Sequence, residues 1–227
     1  TVQAHVVKNM HAVWGGNVAG EMLEWYRRQL AGTESNVSAA ALEWDTLIAE
    51  AASTQPGAGG ILFLPHMSGA ASPVVDGQSL GVFAGLTPRA TRGDMVRAII
   101  EGLDYQFLDI VHVMEEGLGM KAEKVVAVGG AVRNEFWMQN KADVVNRPIE
   151  VPEVEEATPL GAAILAGIGV GLYRDEQEAL ERVYRPGKTY EPDAGLAAKY
   201  AGWYPIYRQL YPTLREVSHQ LFDNFWA

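Results

Sequence analysis

Apolar positions along this chain follow a helical spacing in some stretches and form short unbroken runs in others, and the change of pattern marks the elements. After a short strand-like opening, "GNVAGEMLEWYRRQL" places Met22, Leu23, Trp25, Tyr26 and Leu30 at helical intervals, with Asn17 as candidate N-cap. "VSAAALEWDTLIAEAAST" predicts a second amphipathic helix with Ser38 near its cap, closed by the breaker cluster "TQPGAGG". "ILFLP" then reads as a buried strand, "HMSGAASPVVDGQS" as turns and "LGVFAGL" as a second strand. The longest predicted helix is "TRGDMVRAIIEGLDYQFLDIVHVMEEGLG". Met95, Ile99, Leu103, Phe107, Ile110 and Met114 form its stripe, Thr91 with Asp94 resembles a capping box, and Gly117 and Gly119 end it.

The run Val125 to Val128 predicts a strand covered on both faces, followed by Gly129, Gly130 and a helix from about Asn134 to Val145. "RPIEVP" predicts a short strand, and "EEATPLGAAILAGIGVGLY" a helix capped by Thr158 with Pro159 at its first position. "RPGKTYEPDAGLAAKY" reads as a loop before a last amphipathic helix, "WYPIYRQLYPTLREVSHQLF", which Pro205 and Pro212 interrupt. Strands alternating with helices predict an α/β layered domain.

Composition narrows the partners. The 227 residues suffice for a large core, and 48% hydrophobic with 20% charged content is ordinary for a globular protein. A net charge of −10 argues for no nucleic acid partner and no anionic membrane surface, since both require basic patches. No apolar run reaches the length of a membrane span. With no cysteine, disulfides and thiolate metal sites are unavailable, and a reducing cytoplasm is the simplest expectation. The start lacks an initiator Met and a signal-peptide pattern, and it reads as an interior cut.

Candidate chemistry centres on the turn in "KVVAVGGAVRNEFWMQ". Two glycines between a strand and a helix allow positive φ and close approach of a ligand, and the following helix start offers amide donors. A plain strand-to-helix turn uses the same residues. Asn134 can hold a ligand or serve only as a helix cap. Gly161, Ala162, Ala163, Ala166, Gly167 and Gly169 give one helix a small-residue surface, suited to close packing or to a nucleotide between two helix starts. Neither "GxxxxGK[ST]" nor "GxGxxG" occurs. Glu115 with Glu116, and Glu153 with Glu155 and Glu156, read as solvated charge runs, Asp76 as a turn residue, and the five histidines lack Ser or Asp partners at informative spacing. No metal site and no catalytic residue emerge.

Three stretches resemble the C-terminal domain of the FGGY carbohydrate kinases, the relatives of xylulokinase and glycerol kinase. "GVFAGLTPRATRGDMVRAIIE" is similar to the family's second signature through Gly81, Phe83, Gly85, Leu86, a seven-residue spacer, then Asp94, Met95, Ala98, Ile99, Ile100 and Glu101. "VGGAVRNEFWMQNKADVVNRPIEVPEVEEATPLGAAILAG" is similar to the adenine-nucleotide half of the same domain. "VAGEMLEWYRR" is a shorter match, in which Glu24 stands where family members often carry Gln.

The resemblance implies an actin-like ATPase (ribonuclease H-like) fold, a mixed sheet flanked by helices. It implies ATP and Mg2+ as cofactors and phosphorylation of a sugar or polyol hydroxyl. By the same resemblance, adenosine contacts fall on Gly129, Gly130, Ala131 and Asn134, with further nucleotide contacts on Gly20 and Glu24. The chain would then be the nucleotide-binding domain of a two-domain kinase. Its N-terminal domain would supply the catalytic aspartate and most sugar contacts, and a homodimer is the expected assembly. A ketopentose such as xylulose or ribulose is preferred slightly over glycerol or another polyol. The rivals are an actin-like or chaperone-like ATPase and a non-catalytic binding or assembly module. For the aromatic tail, Trp203 to Trp226, core packing is preferred to a subunit contact.

Overall fold

A computed structural model describes residues 2–13, 15–16, 20–30, 44–154 and 156–226. The caps expected at Asn17 and Ser38 lie outside the described residues. Strands β1 (Val2–Ala4) and β2 (His11–Val13) form an antiparallel hairpin, followed by helices α1 (Gly20–Gln29) and α2 (Trp44–Ser53). A second antiparallel pair, β3 (Leu62–Leu64) with β4 (Val82–Ala84), leads into the 27-residue helix α3 (Arg92–Leu118).

The expected caps of α3 are both present. The Thr91 side chain accepts from the Asp94 amide while the Asp94 carboxylate accepts from the Thr91 amide at 2.9 Å, and Gly119 ends the helix in the left-handed region at φ 65°. This helix is the axis of the core, with Ile99, Ile100, Leu103 and Tyr105 almost fully buried. Gly102 lets it touch β3, because a Cβ there would lie 2.2 Å from the Phe63 carbonyl oxygen.

Strand β5 (Val125–Val126), a 3-10 turn over Gly130–Arg133, helix α4 (Glu135–Val145) and strand β6 (Ile149–Val151) make one parallel crossover unit. Helices α5 (Ala157–Gly169) and α6 (Glu176–Val183) follow. Strand β7 (Lys188–Tyr190) then pairs antiparallel with β6, so this three-stranded sheet is mixed. Helices α7 (Ala194–Tyr207) and α8 (Leu210–Phe225) close the chain.

Several expectations are corrected. The strand at residue 125 is two residues long and not covered on both faces, since Val126 and Val128 are each 43% exposed. Helix α5 begins before Thr158 and Pro159, its N-cap position being Glu156, and its small face is largely exposed, with only Gly167 closely approached, by Tyr173. The segment read as a loop before the last helix contains β7 and the start of α7, whose N-cap Asp193 accepts from the Leu196 amide. Helix α6, with Asp175 as cap, was not anticipated. The single last helix is two. Glu115 is not solvated: it forms an ion pair with Arg147 at 2.6 Å.

Buried polar groups tie the layers together. Glu101 Oε1 accepts from Tyr200 Oη at 2.8 Å and from the Gly57 amide at 3.0 Å, and Asn140 donates to the same tyrosine oxygen at 2.7 Å. These bonds join α3, α4 and α7, and each group relies on its partner because burial shields it from bulk solvent. Trp203, Tyr204, Tyr207 and Tyr211 of the aromatic tail pack on this core, whereas Phe225 and Trp226 are exposed.

Burial also sets a pH response. His66 is enclosed with its Nδ1 2.7 Å from Ser79 Oγ, and desolvation lowers its pKa to about 4, against a weak opposing pull from Asp76. A base whose folded pKa lies below its unfolded 6.5 stabilises the fold above pH 6.5, and that contribution drains away as pH falls toward 4. The melting temperature is expected to drop across this interval and to drop less in His66→Gln, which retains a partner for Ser79. Equal slopes in the two proteins would disprove the assignment.

Candidate nucleotide site

The crossover unit sets the location of the site. In open α/β sheets, ligands settle beyond the carboxyl ends of parallel strands. Here β5 ends at Val126, and the chain then turns through Gly129, whose φ of 90° and ψ of −178° lie in a region accessible essentially to glycine alone. Gly130 has no such strain, and a Cβ built on it meets no heavy atom within 4 Å. A Cβ on Gly129 meets nothing within 4 Å either, so the two glycines differ in strain and place: the first makes the turn and the second lines a cavity.

This cavity is about 700 Å³, within the range for small-molecule sites. Gly130, Ala131 and Arg133 of the turn line one side, with Asn134, Glu135, Phe136 and Trp137 at the start of α4. The opposite side is Gly20 and Leu23 of α1 with Trp44, Asp45, Ile48, Ala49 and Ala52 of α2. Most of this wall is apolar, so it suits a flat, weakly polar group such as a purine.

Asn134 supplies a polar group whose orientation is fixed. Its Oδ1 accepts from the Trp137 amide at 3.0 Å, which caps α4. Because the cap requires an oxygen there, the Nδ2 group is the part left to act on a ligand, as a donor. Trp137 is itself anchored, its indole Nε1 donating to the fully buried Asp104 at 3.0 Å, and Lys141 holds the same carboxylate at 2.5 Å. The floor of the cavity is thus braced by α3.

Of the residues expected at the site, Gly20, Gly130, Ala131 and Asn134 line the cavity together. Gly129 sits behind it as the turn. Glu24 is not among the lining residues; its carboxylate is engaged by Arg27 at 2.7 and 2.8 Å and by Arg28, and those cations, Arg27 foremost, lower its pKa to about 2. The α2 face was missed by sequence reasoning. Trp44, Ile48 and Ala52 recur every fourth residue, a signal that was present, but Leu47 and Ala51 beside them are the core face, and periodicity does not distinguish core from cavity.

Among the described residues, no group of three or more His, Asp or Glu side chains could hold a metal ion, and no helix is long and apolar enough to cross a membrane. The residues that line the cavity do fit a nucleotide: an apolar slot, an open glycine beside the backbone and an oriented amide donor.

Comparison with known proteins finds sugar and polyol kinases. The xylulose kinase of Staphylococcus epidermidis (strain RP62A) is 29% identical over 218 residues, 96% of this chain and 42% of that protein. Glycerol kinase 2 of Thermotoga maritima is 38% identical over 179 residues, 72% of this chain and 36% of that protein. Ligand-bound xylulose kinase from Lactobacillus acidophilus superposes with a TM-score of 0.77 at 26% identity, covering 86% of this chain and 38% of that one. The chain therefore spans about two fifths of the length of the relatives it matches. These neighbours share the actin-like ATPase fold. The FGGY family of carbohydrate kinases, through its C-terminal domain, matches residues 3–170, well over half of the sequence, and the chain belongs to that family.

Proposed function

We propose that this chain is the ATP-binding side of a two-domain kinase that phosphorylates a hydroxyl of a sugar or polyol. The observation that carries the reading is the cavity where four of the six expected nucleotide residues meet, Gly20, Gly130, Ala131 and Asn134, in a chain of this family. Adenosine lies against the open face of Gly130, and Asn134 Nδ2 donates to a ring nitrogen of the base. Leu23, Ile48 and Phe136 exclude water from the base. Bound MgATP supplies the phosphoryl group to be transferred.

This chain's own contribution is positioning. Catalysis of phosphoryl transfer depends on alignment and charge stabilisation, and both need the second wall of the cleft. In this reading the N-terminal domain provides that wall, the catalytic base and most sugar contacts, and the intact kinase is a soluble, cytoplasmic homodimer. A ketopentose is the preferred substrate class, supported by the greater coverage of this chain by xylulose kinases. The higher identity to a glycerol kinase favours a polyol as the second reading.

The test is ADP release by the full-length protein given MgATP and a panel of ketopentoses and polyols. Turnover with one class is the expected result. No turnover with any of them would overturn the kinase reading.

A further inference from the structure

Trp44 has no place in the core. It is 38% exposed, at the first described turn of α2, and it is absent from the buried cluster and from the residues that pack against it. Trp44 also lines the cavity, so the part of the indole that protein leaves uncovered is available to a flat ligand. The Arg27 guanidinium lies over the ring, 5.3 Å from its centroid. Arg27 is in turn held in a two-bond fork by Glu24, at 2.8 Å from Nε to Oε2 and 2.7 Å from Nη2 to Oε1.

We propose that Trp44 stacks on the nucleotide base, and that Glu24 is a positioning residue that acts through Arg27 to hold the indole in place. This rests on the nucleotide reading of the cavity and adds a residue to it. It also gives Glu24 a task that fits its location. A carboxylate lying among triphosphate oxygens would be repelled, whereas a carboxylate that fixes an arginine over an aromatic ring contributes at a distance from the phosphates. The chain of contacts runs from Glu24 to Arg27 within α1, from Arg27 to Trp44 across to α2, and from Trp44 to the cavity it lines.

Stacking on an aromatic ring is tolerant of base identity because every base has a π face, so Trp44 supplies affinity and Asn134 the hydrogen bond. Removing a stacking ring lowers affinity by roughly 10-fold, with a range of about 5- to 150-fold. Trp44 is partly exposed and outside the core, so its replacement leaves the fold in place.

The experiment is ADP binding to the full-length protein by calorimetry and by tryptophan fluorescence, with melting temperature as the folding control. Trp44→Leu is expected to raise the Kd about 10-fold and to abolish most of the ADP-induced quenching, and Trp44→Phe to recover most of the affinity. Glu24→Gln is expected to raise the Kd about 3-fold in the parent and to have no effect once Trp44 is leucine, since it acts through that ring. If the parent binds ADP and Trp44→Leu binds it equally well, the stacking role is refuted and the nucleotide reading stands. If Glu24→Gln weakens binding equally in both backgrounds, Glu24 touches the nucleotide itself and the positioning role is refuted. A full-length parent that binds no ADP at millimolar concentration overturns both.

Discussion

Gly130→Val removes ADP binding and leaves the melting temperature within a few degrees of the parent. The reason is the contrast between the paired glycines. Gly130 lines the cavity, its φ lies outside the left-handed region, and its missing Cβ faces open space, so a side chain fits the ligand-free protein but fills the volume a base would use. The expected loss of affinity is about 100-fold or more, because a steric clash at the base cannot be relieved without moving α4. Gly129→Ala should behave in the opposite way. Its φ of 90° and ψ of −178° cost a non-glycine residue about 1–3 kcal/mol, so stability falls first and binding follows. Calorimetric titration with ADP, beside a thermal melt, separates the two. Unchanged ADP affinity in a folded Gly130→Val protein would remove the base from this corner.

The second large effect concerns Asn134. Aspartate is as good an N-cap as asparagine, so Asn134→Asp keeps the bond from the Trp137 amide and preserves α4. It replaces the one oriented donor by an acceptor carrying negative charge. Facing a ring nitrogen that needs a donor, it should cost about 2–3 kcal/mol, or roughly 30- to 150-fold in Kd. Asn134→Ala tests the other half of the residue: it loses the cap, about 1 kcal/mol of stability, together with the donor. A protein in which Asn134→Asp binds ADP as the parent does would show that Asn134 is a helix cap and nothing more.

Much of the architecture was legible in one dimension because its causes are local. Thr91 and Asp94 close a capping box through bonds three residues apart, Gly119 ends α3 because it tolerates a positive φ, and the stripe from Met95 to Met114 needs no partner to be recognised. The resemblance around Gly130 and in "VAGEMLEWYRR" was equally local, and it led to four residues that line one cavity. What failed to show was decided by neighbours distant in sequence. The valines after Lys124 look like a doubly covered strand, yet the described structure covers one side only. The stretch before Ala194 looks like a loop until β6 offers it an edge to pair with.

The pairings of the histidines make the same point. No spacing links His66 to Ser79 or His219 to Asp76, but folding brings Nδ1 of the first to 2.7 Å from the serine oxygen and Nε2 of the second to 2.8 Å from the carboxylate. Likewise Trp44 and Ile48 sit on a helix face that reads as core, and only the distance between α2 and α4 turns that face into a wall. The sequence by itself determined the helix limits that local capping controls, the family and the position of the glycine turn. The tertiary structure alone decided which apolar faces meet and which enclose a cavity, and it brought Arg27 of α1 over the Trp44 ring of α2. Periodicity records that a side is apolar; whether protein or a bound molecule covers it depends on the separation of elements far apart along the chain.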